Sequence, residues 1–349
     1  MNRRPGAYVP NDGDPPLHRA MVEAWDEELA AEPQPSQAER AVAAARASAG
    51  PSLRHAASLG IFALAVIGAI AGVIVGWQHL VGDPLADTVA YFEASDRLNH
   101  GRPLYPEGID PSSNRIYLYP PLLAVVMRPV ALLGYEVFAG VWEAIVVLSF
   151  VALLRYLGVR RRAVWLAIGI LGVPIAWALT VAQAHVPMTY LIALGQPWSV
   201  ALAANLKLFP ALLALWWLGR RDYQSLVAFG GWLLLFGAAQ ALLEPGGSAA
   251  FFGSVGLDQL GEVRNISPFV VNPALWAVLL AAGGLLVLAL ARTRWGWPAA
   301  VALATLAPPR LLVYMLTGLL ATLRQPKVAG EADPEAEVDA AAAFTRSVR

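Results

Sequence analysis

Residues 57–77 read ASLGIFALAVIGAIAGVIVGW, an apolar run with no charged side chain. As an α-helix it would extend about 30 Å, the thickness of a bilayer's hydrocarbon core. Further long apolar runs follow at 136–157, 163–181, 223–243 and 272–291. A chain built this way reads as all-α and polytopic in a membrane. The composition agrees: of 349 residues, 57% are hydrophobic and 14% charged, against about 25% charged in soluble domains. The formal net charge is zero, which gives no support to a nucleic-acid partner. Cysteine is absent, so neither a disulfide nor a thiolate-held zinc or iron–sulfur centre can form.

Basic residues orient the runs. Arg40, Arg46 and Arg54 precede the first one and acidic residues follow it, which places the N-terminus in the cytosol and the next loop outside. The run 119–133 is short, opens on Pro120-Pro121 and is interrupted by Arg128-Pro129; 136–157 is clean apart from Glu143. If only the second crosses, Arg155, Arg160, Arg161 and Arg162 stay cytosolic, so 119–133 reads as an interfacial or re-entrant helix on the external face. Residues 163–181 return outward. Residues 183–222 make one crossing or three short ones, broken at Gly195-Gln196-Pro197 and near Lys207. Three crossings would be about 13 residues each, tolerable only where they line a protein or water-filled cavity. Residues 223–243 span outward, 244–271 form a second external loop and 272–291 return. A short helical pair, 297–306 and 311–323, turns at Arg310. The expected bundle has about eight to ten spans, short interfacial helices in its external loops, and both termini cytosolic. Residues 1–52 read as a mostly disordered tail without a signal-peptide start, 53–325 as the membrane domain, and 326–349 as an acidic disordered tail. Within the first tail, Met21, Trp25 and Leu29 share one face of a possible helix at 18–31, either transient or a docking element.

Chemistry is expected in the loop 82–123, which carries Asp83, Asp87, Glu93 and Asp96 and ends at Tyr117-Leu-Tyr119-Pro-Pro. Two cations stand out against it. Lys207 lies inside an apolar run, and Arg310 lies between Pro308-Pro309 and a hydrophobic helix. A charge at the bilayer centre costs about 3 kcal/mol or more, so each should face water, a partner or an anionic ligand. Snorkelling to the interface is the bland alternative. Both cations map to the outer side, as the carboxylate loop does, and one shared external cavity is the economical reading. His185 opens a helix and either contacts a polar head group or caps it; Glu143 is expected to pair within the bundle. For Asp87 the bland alternative is a helix N-cap. No HExxH, CxxC, P-loop or GxSxG motif occurs. The five histidines are scattered, so no metal site is expected.

The ordered pieces Asp87-Thr-Val-Ala-Tyr91-Phe-Glu-Ala, Gly101-Arg-Pro-Leu-Tyr105 and Tyr119-Pro-Pro-Leu resemble the first external loop of glycosyltransferase family 87. Lys207-Leu-Phe-Pro210 with Arg220-Arg221, and Thr305-Leu-Ala-Pro-Pro-Arg310 with Tyr314, are similar to its later segments, and Asn265-Ile-Ser267 to its Asn-Gln-Ser element. The resemblance covers roughly residues 57–325. It implies a GT-C-type helical bundle in the plasma membrane with an extracytoplasmic active site. It also implies an inverting transfer of a sugar, mannose before arabinose, from a polyprenyl-phosphate donor to a glycolipid or cell-envelope glycan. Asp87 would be the general base, with Lys207, Arg310 and Arg264 on the donor phosphate and Asp83, Tyr119 and His185 as substrate contacts. No cofactor is expected, and the partners are these substrates and membrane lipid. A flippase for a lipid-linked anion and a catalytically inactive scaffold stay as alternatives.

Overall fold

The computed structural model describes residues 51–106, 117–254, 265–324 and 326. The tails expected at 1–52 and 326–349 lie almost wholly outside these residues, as do the possible helix at 18–31 and Arg264. The chain divides into units 1–60 and 61–349; of the first, only the start of one helix is described.

In chain order the elements are α1 (Pro51–Gly82), α2 (Ala86–Asn99), α3 (Leu122–Ala131), α4 (Tyr135–Leu157), α5 (Arg162–Ile170), α6 (Gly172–Thr180), α7 (His185–Leu194) and α8 (Pro197–Leu206). After a 3-10 turn, Phe209–Leu213, come α9 (Ala214–Arg220), α10 (Tyr223–Leu243), α11 (Pro245–Ser254), α12 (Pro268–Val271), α13 (Pro273–Leu290), α14 (Gly296–Leu306) and a closing 3-10 helix, Val313–Leu323. No strand occurs among the described residues. The protein is a helical membrane protein: α1 from His55 onward, α4, α10 and α13 are each long and apolar enough to cross a bilayer. The bent pair α5–α6 also passes as one broken span, and α3, α7, α14 and the closing 3-10 helix are shorter apolar helices. The outward faces of α10 and α13 carry Leu234, Leu235, Leu242, Val278, Leu285 and Leu286, all exposed, as a helix solvated by lipid requires.

The run 163–181, expected to be one span, bends by 73° between α5 and α6. Gly169 and Gly172 flank the bend, and Pro174 follows in the first turn of α6, where its missing N–H breaks no intrahelical bond. The same glycines meet α1. A Cβ on Gly72 would stand 2.5 Å from the Gly172 carbonyl carbon, and one on Gly169 would stand 2.6 Å from the Ala65 carbonyl oxygen. Ala65, Gly68, Gly72 and Gly76 thus form a small-residue stripe that lets two backbones touch, the usual basis of helix association in lipid.

The segment 183–222 breaks where the sequence indicated. Gly195 adopts φ +60°, Gln196 and Ser199 cap α8 reciprocally, and Pro197 opens it. Lys207 ends α8 in extended conformation, φ −157°. The closing 3-10 helix is long for its type. Its period of three is written in its burial: Tyr314, Thr317 and Leu320 on one stripe and Met315, Gly318 and Ala321 on the next are all buried. Two apolar clusters result. One, with Trp216, Trp217 and Trp297, fills the end marked by Arg220 and Arg324; the other, with Tyr91, Tyr117, Tyr119, Trp142 and Tyr314, underlies the first loop.

Candidate active site

The loop helix α2 is fastened at both ends. At its start Leu85, in left-handed conformation (φ 57°), donates its N–H to the Thr180 carbonyl at 3.0 Å, and Asp87 donates its N–H to Val181 at 3.3 Å. At its end the Arg128 side chain donates to Asn99 Oδ1 at 3.1 Å, and Asn99 Nδ2 donates back to the Arg128 carbonyl at 2.9 Å. Between them Thr88, Tyr91, Ser95 and Leu98 form the buried face at helical spacing. The N-cap position of α2 is Leu85, without a side-chain cap. Asp87 is therefore not the cap: it sits second in the helix, where the dipole favours a carboxylate and its side chain is available for another partner.

That partner is Gln183. Helix α6 closes in a Schellman arrangement, with the Gln183 N–H bonded to the Ala178 carbonyl at 2.8 Å and the Ala182 N–H to Leu179 at 3.1 Å. The left-handed position is filled by Ala182 (φ 53°) rather than glycine, and Trp142 Nε1 donates to its carbonyl at 2.7 Å. A non-glycine residue costs roughly 1 kcal/mol in this conformation, and here the turn delivers Gln183 into the protein interior, 1% exposed. Its Nε2 donates to Asp87 Oδ2, while its Oε1 accepts from the Tyr119 hydroxyl and, at 2.7 Å, from the Tyr91 hydroxyl.

Chemistry fixes the direction of each bond. A carboxylate only accepts, so the amide nitrogen must face Asp87 and the amide oxygen the two tyrosines. The Ala184 N–H donates to the Tyr91 oxygen at 3.2 Å, which leaves the Tyr91 proton to donate, to Gln183 at 2.7 Å and to the Tyr119 oxygen at 3.2 Å. Burial, with Tyr119 and Asp87 adding to it, holds the Tyr91 hydroxyl well above its ordinary pKa; burial and Asp87 raise that of Tyr119. Both stay protonated and donating. Tyr105 Oη donates to the Tyr119 carbonyl at 2.6 Å, and Tyr117 Oη to that of Pro120 at 2.8 Å, fixing the turn that carries Tyr119. Of the loop's other carboxylates, Asp83 pairs with His79 at 2.7 Å, Glu93 with Arg97 at 3.1 Å and Asp96 with Arg102 at 2.7 Å.

The two cations come to the same place although 103 positions separate them. The Lys207 ammonium lies 3.5 Å from Met315 Sδ, 5.5 Å from the Tyr119 ring centre and 6.0 Å from that of Tyr314. Asp87 and Arg310 both act electrostatically on Lys207 and on Tyr119. Arg310 is presented by a stapled turn: Asn265 Nδ2 donates to the Pro309 carbonyl and its Oδ1 accepts from the Leu311 N–H, each at 2.9 Å. The main chain repeats the link, Ile266 N–H to Leu311 carbonyl at 2.9 Å.

Asp87, Tyr119, Lys207 and Arg310 thus converge. Asp83 turns to His79, whose ring stacks on Trp177 at 4.9 Å, and lies at the rim. His185 is 4% exposed, so it does not lie open at the surface, and Ala184, not His185, occupies the N-cap of α7. Glu143 is exposed on α4 instead of pairing inside the bundle. Arg264 lies outside the described residues. Sequence reading passed over Gln183, Tyr91 and Asn265 as site residues. Tyr91 and Asn265 stood inside the segments that carried the resemblance, whereas Gln183 had no local signal.

Residues 117–326 match the model of glycosyltransferase family 87. Over 172 residues the chain is 26% identical to a polyprenol-phosphate-mannose-dependent alpha-(1-2)-phosphatidylinositol pentamannoside mannosyltransferase of Mycolicibacterium smegmatis. That match takes in 43% of this chain and 42% of the relative, so the chain spans under half of the relative's length. No solved structure matches.

Proposed function

Because the chain belongs to glycosyltransferase family 87, we propose that it transfers a sugar, mannose, from a polyprenyl-monophosphate donor to a glycolipid or envelope glycan at the external face of the plasma membrane. The observation that carries this reading is the Asp87 carboxylate, aimed by Gln183 and set within electrostatic reach of Lys207 and Arg310. Tyr119, Lys207 and Arg310 fall within the family match, while Asp87 precedes it and its role rests on this geometry.

In the proposed step an acceptor hydroxyl gives its proton to Asp87 as its oxygen bonds to the anomeric carbon. The bond from that carbon to the phosphate oxygen breaks with its electron pair, inverting the centre and releasing polyprenyl phosphate. The leaving phosphate needs no proton, so one carboxylate suffices. Lys207 and Arg310 meet the charge that develops on it, the kind of contact whose loss costs about 10²–10³ in rate. Tyr119 forms the floor between base and cation, Asp83 a rim contact and His185 an inner one.

Purified protein with polyprenyl-phosphomannose and a membrane glycolipid tests the reading. Asp87→Ala should abolish transfer while the protein stays folded and membrane-inserted. Full transfer by that variant removes Asp87 from the mechanism, and no transfer by the wild type with any polyprenyl-phosphate sugar removes the transferase reading.

A further inference from the structure

Helices α7 and α14 and the closing 3-10 helix pack around one polar spot. His185, from α7, closes no hydrogen bond through either ring nitrogen, although the Met315 main chain faces the ring. Thr305, from α14, is 3% exposed, and its hydroxyl also has no partner. Both converge on Gly318: a Cβ there would stand 2.8 Å from Thr305 Oγ1 and 3.2 Å from His185 Nε2. Buried polar groups are ordinarily hydrogen-bonded, and two unpartnered ones facing a glycine at a helix junction point to a ligand that bonds them.

The 3-10 period locates this spot. Met315, one turn before Gly318 on the same stripe, touches the Lys207 ammonium through its sulfur at 3.5 Å, and Lys207 acts electrostatically on His185. The polar pair therefore lies just behind the cation assigned above to the donor phosphate. Imidazole and threonine each offer a donor and an acceptor, which suits a hydroxyl; a phosphate accepts only and is served by Lys207 and Arg310.

We propose that His185 and Thr305 form a hydroxyl-binding subsite for the sugar ring of the donor, kept open by Gly318. The proposal rests on the reading of Lys207 as a phosphate ligand. A buried water offers the same hydroxyl chemistry, and the experiment separates the two sources.

Binding of polyprenyl phosphate and of polyprenyl-phosphomannose to detergent-solubilised protein is measured alongside transfer kinetics. The wild type should bind the mannosylated lipid more tightly. Thr305→Val, which keeps the shape and removes the hydroxyl, should weaken that lipid about tenfold and leave the sugar-free lipid unchanged. Thr305→Ser should restore the preference, and Gly318→Ala should lose it as Thr305→Val does. Equal weakening for both lipids would show a packing role and overturn the subsite. So would unchanged binding of both with lowered thermal stability, the mark of a structural water, or a wild type that does not distinguish the lipids. Sugar-dependent binding that the variants remove, without transfer by the wild type, keeps the subsite and sinks the transferase reading. Transfer with an unchanged donor KM in all three variants does the reverse.

Discussion

The amide nitrogen of Gln183 donates to the carboxylate of Asp87 although 96 positions separate the two residues. Because the amide oxygen is held by two tyrosine hydroxyls, the nitrogen has one orientation available, and the carboxylate is aimed rather than merely present.

Replacing Gln183 should therefore disable the site without touching the base. Gln183→Leu leaves the Tyr91 and Tyr119 hydroxyls buried without their acceptor, at about 1–3 kcal/mol each. Thermal unfolding should fall accordingly, and initial rates should drop by roughly 10². Gln183→Glu sets two carboxylates against each other and raises the pKa of one of them. Protonated, the new side chain can donate to Asp87 as the amide did; ionised, it cannot. Its transfer rate should be low at neutral pH and recover partly as the pH falls, with no such recovery in Gln183→Leu. A pH–rate profile of both variants decides this.

Lys207 should trade stability against activity. Its ammonium neighbours are a thioether and two aromatic faces. Lys207→Met removes a desolvated charge, so thermal stability should hold or rise, while transfer falls about 10²–10³-fold. Lys207→Arg should not restore full activity, because a planar guanidinium does not occupy the space of a compact ammonium.

Asn265 never needs to touch substrate to matter. Asn265→Ala takes both bonds from the turn that presents Arg310. The donor KM should rise about tenfold, with kcat changed less, and the Leu311 N–H loses its acceptor at about 1–3 kcal/mol. Steady-state kinetics against donor concentration separates the two effects.

Two glycine substitutions should differ in sign. Gly72→Leu drives a side chain into the Gly172 main chain and should lower thermal stability in detergent by more than the 1–3 kcal/mol typical of overpacking. Gly140→Ala on α4 meets nothing within 4 Å and should leave stability equal or up to about 1 kcal/mol higher. Paired melting curves test both.

Local signals carried much of the architecture. An apolar run of bilayer length has to be a helix, whatever surrounds it, so α1, α4, α10 and α13 were legible from hydropathy. Gly195-Gln-Pro197 broke the chain where its backbone preferences dictate. Lys207 and Arg310 stood out because a charge beside lipid must be accounted for, whereas Asp87, by itself a plausible helix cap, stood out only through the family resemblance.

Contacts between distant segments decided the rest. The 73° bend of α5–α6 answers to the backbone of α1 as much as to its own glycines and proline. Gln183 is an ordinary polar residue until a left-handed Ala182 swings it toward Asp87, and Asn265 is an ordinary loop residue until the Pro309–Leu311 turn lies against it. His185, which seemed to face head groups, is buried because a helix from the far end of the chain covers it. Hydropathy and turn chemistry act within a few residues and are written locally. A hydrogen bond between side chains 96 positions apart depends on where two helices come to rest, and only the folded chain determines that.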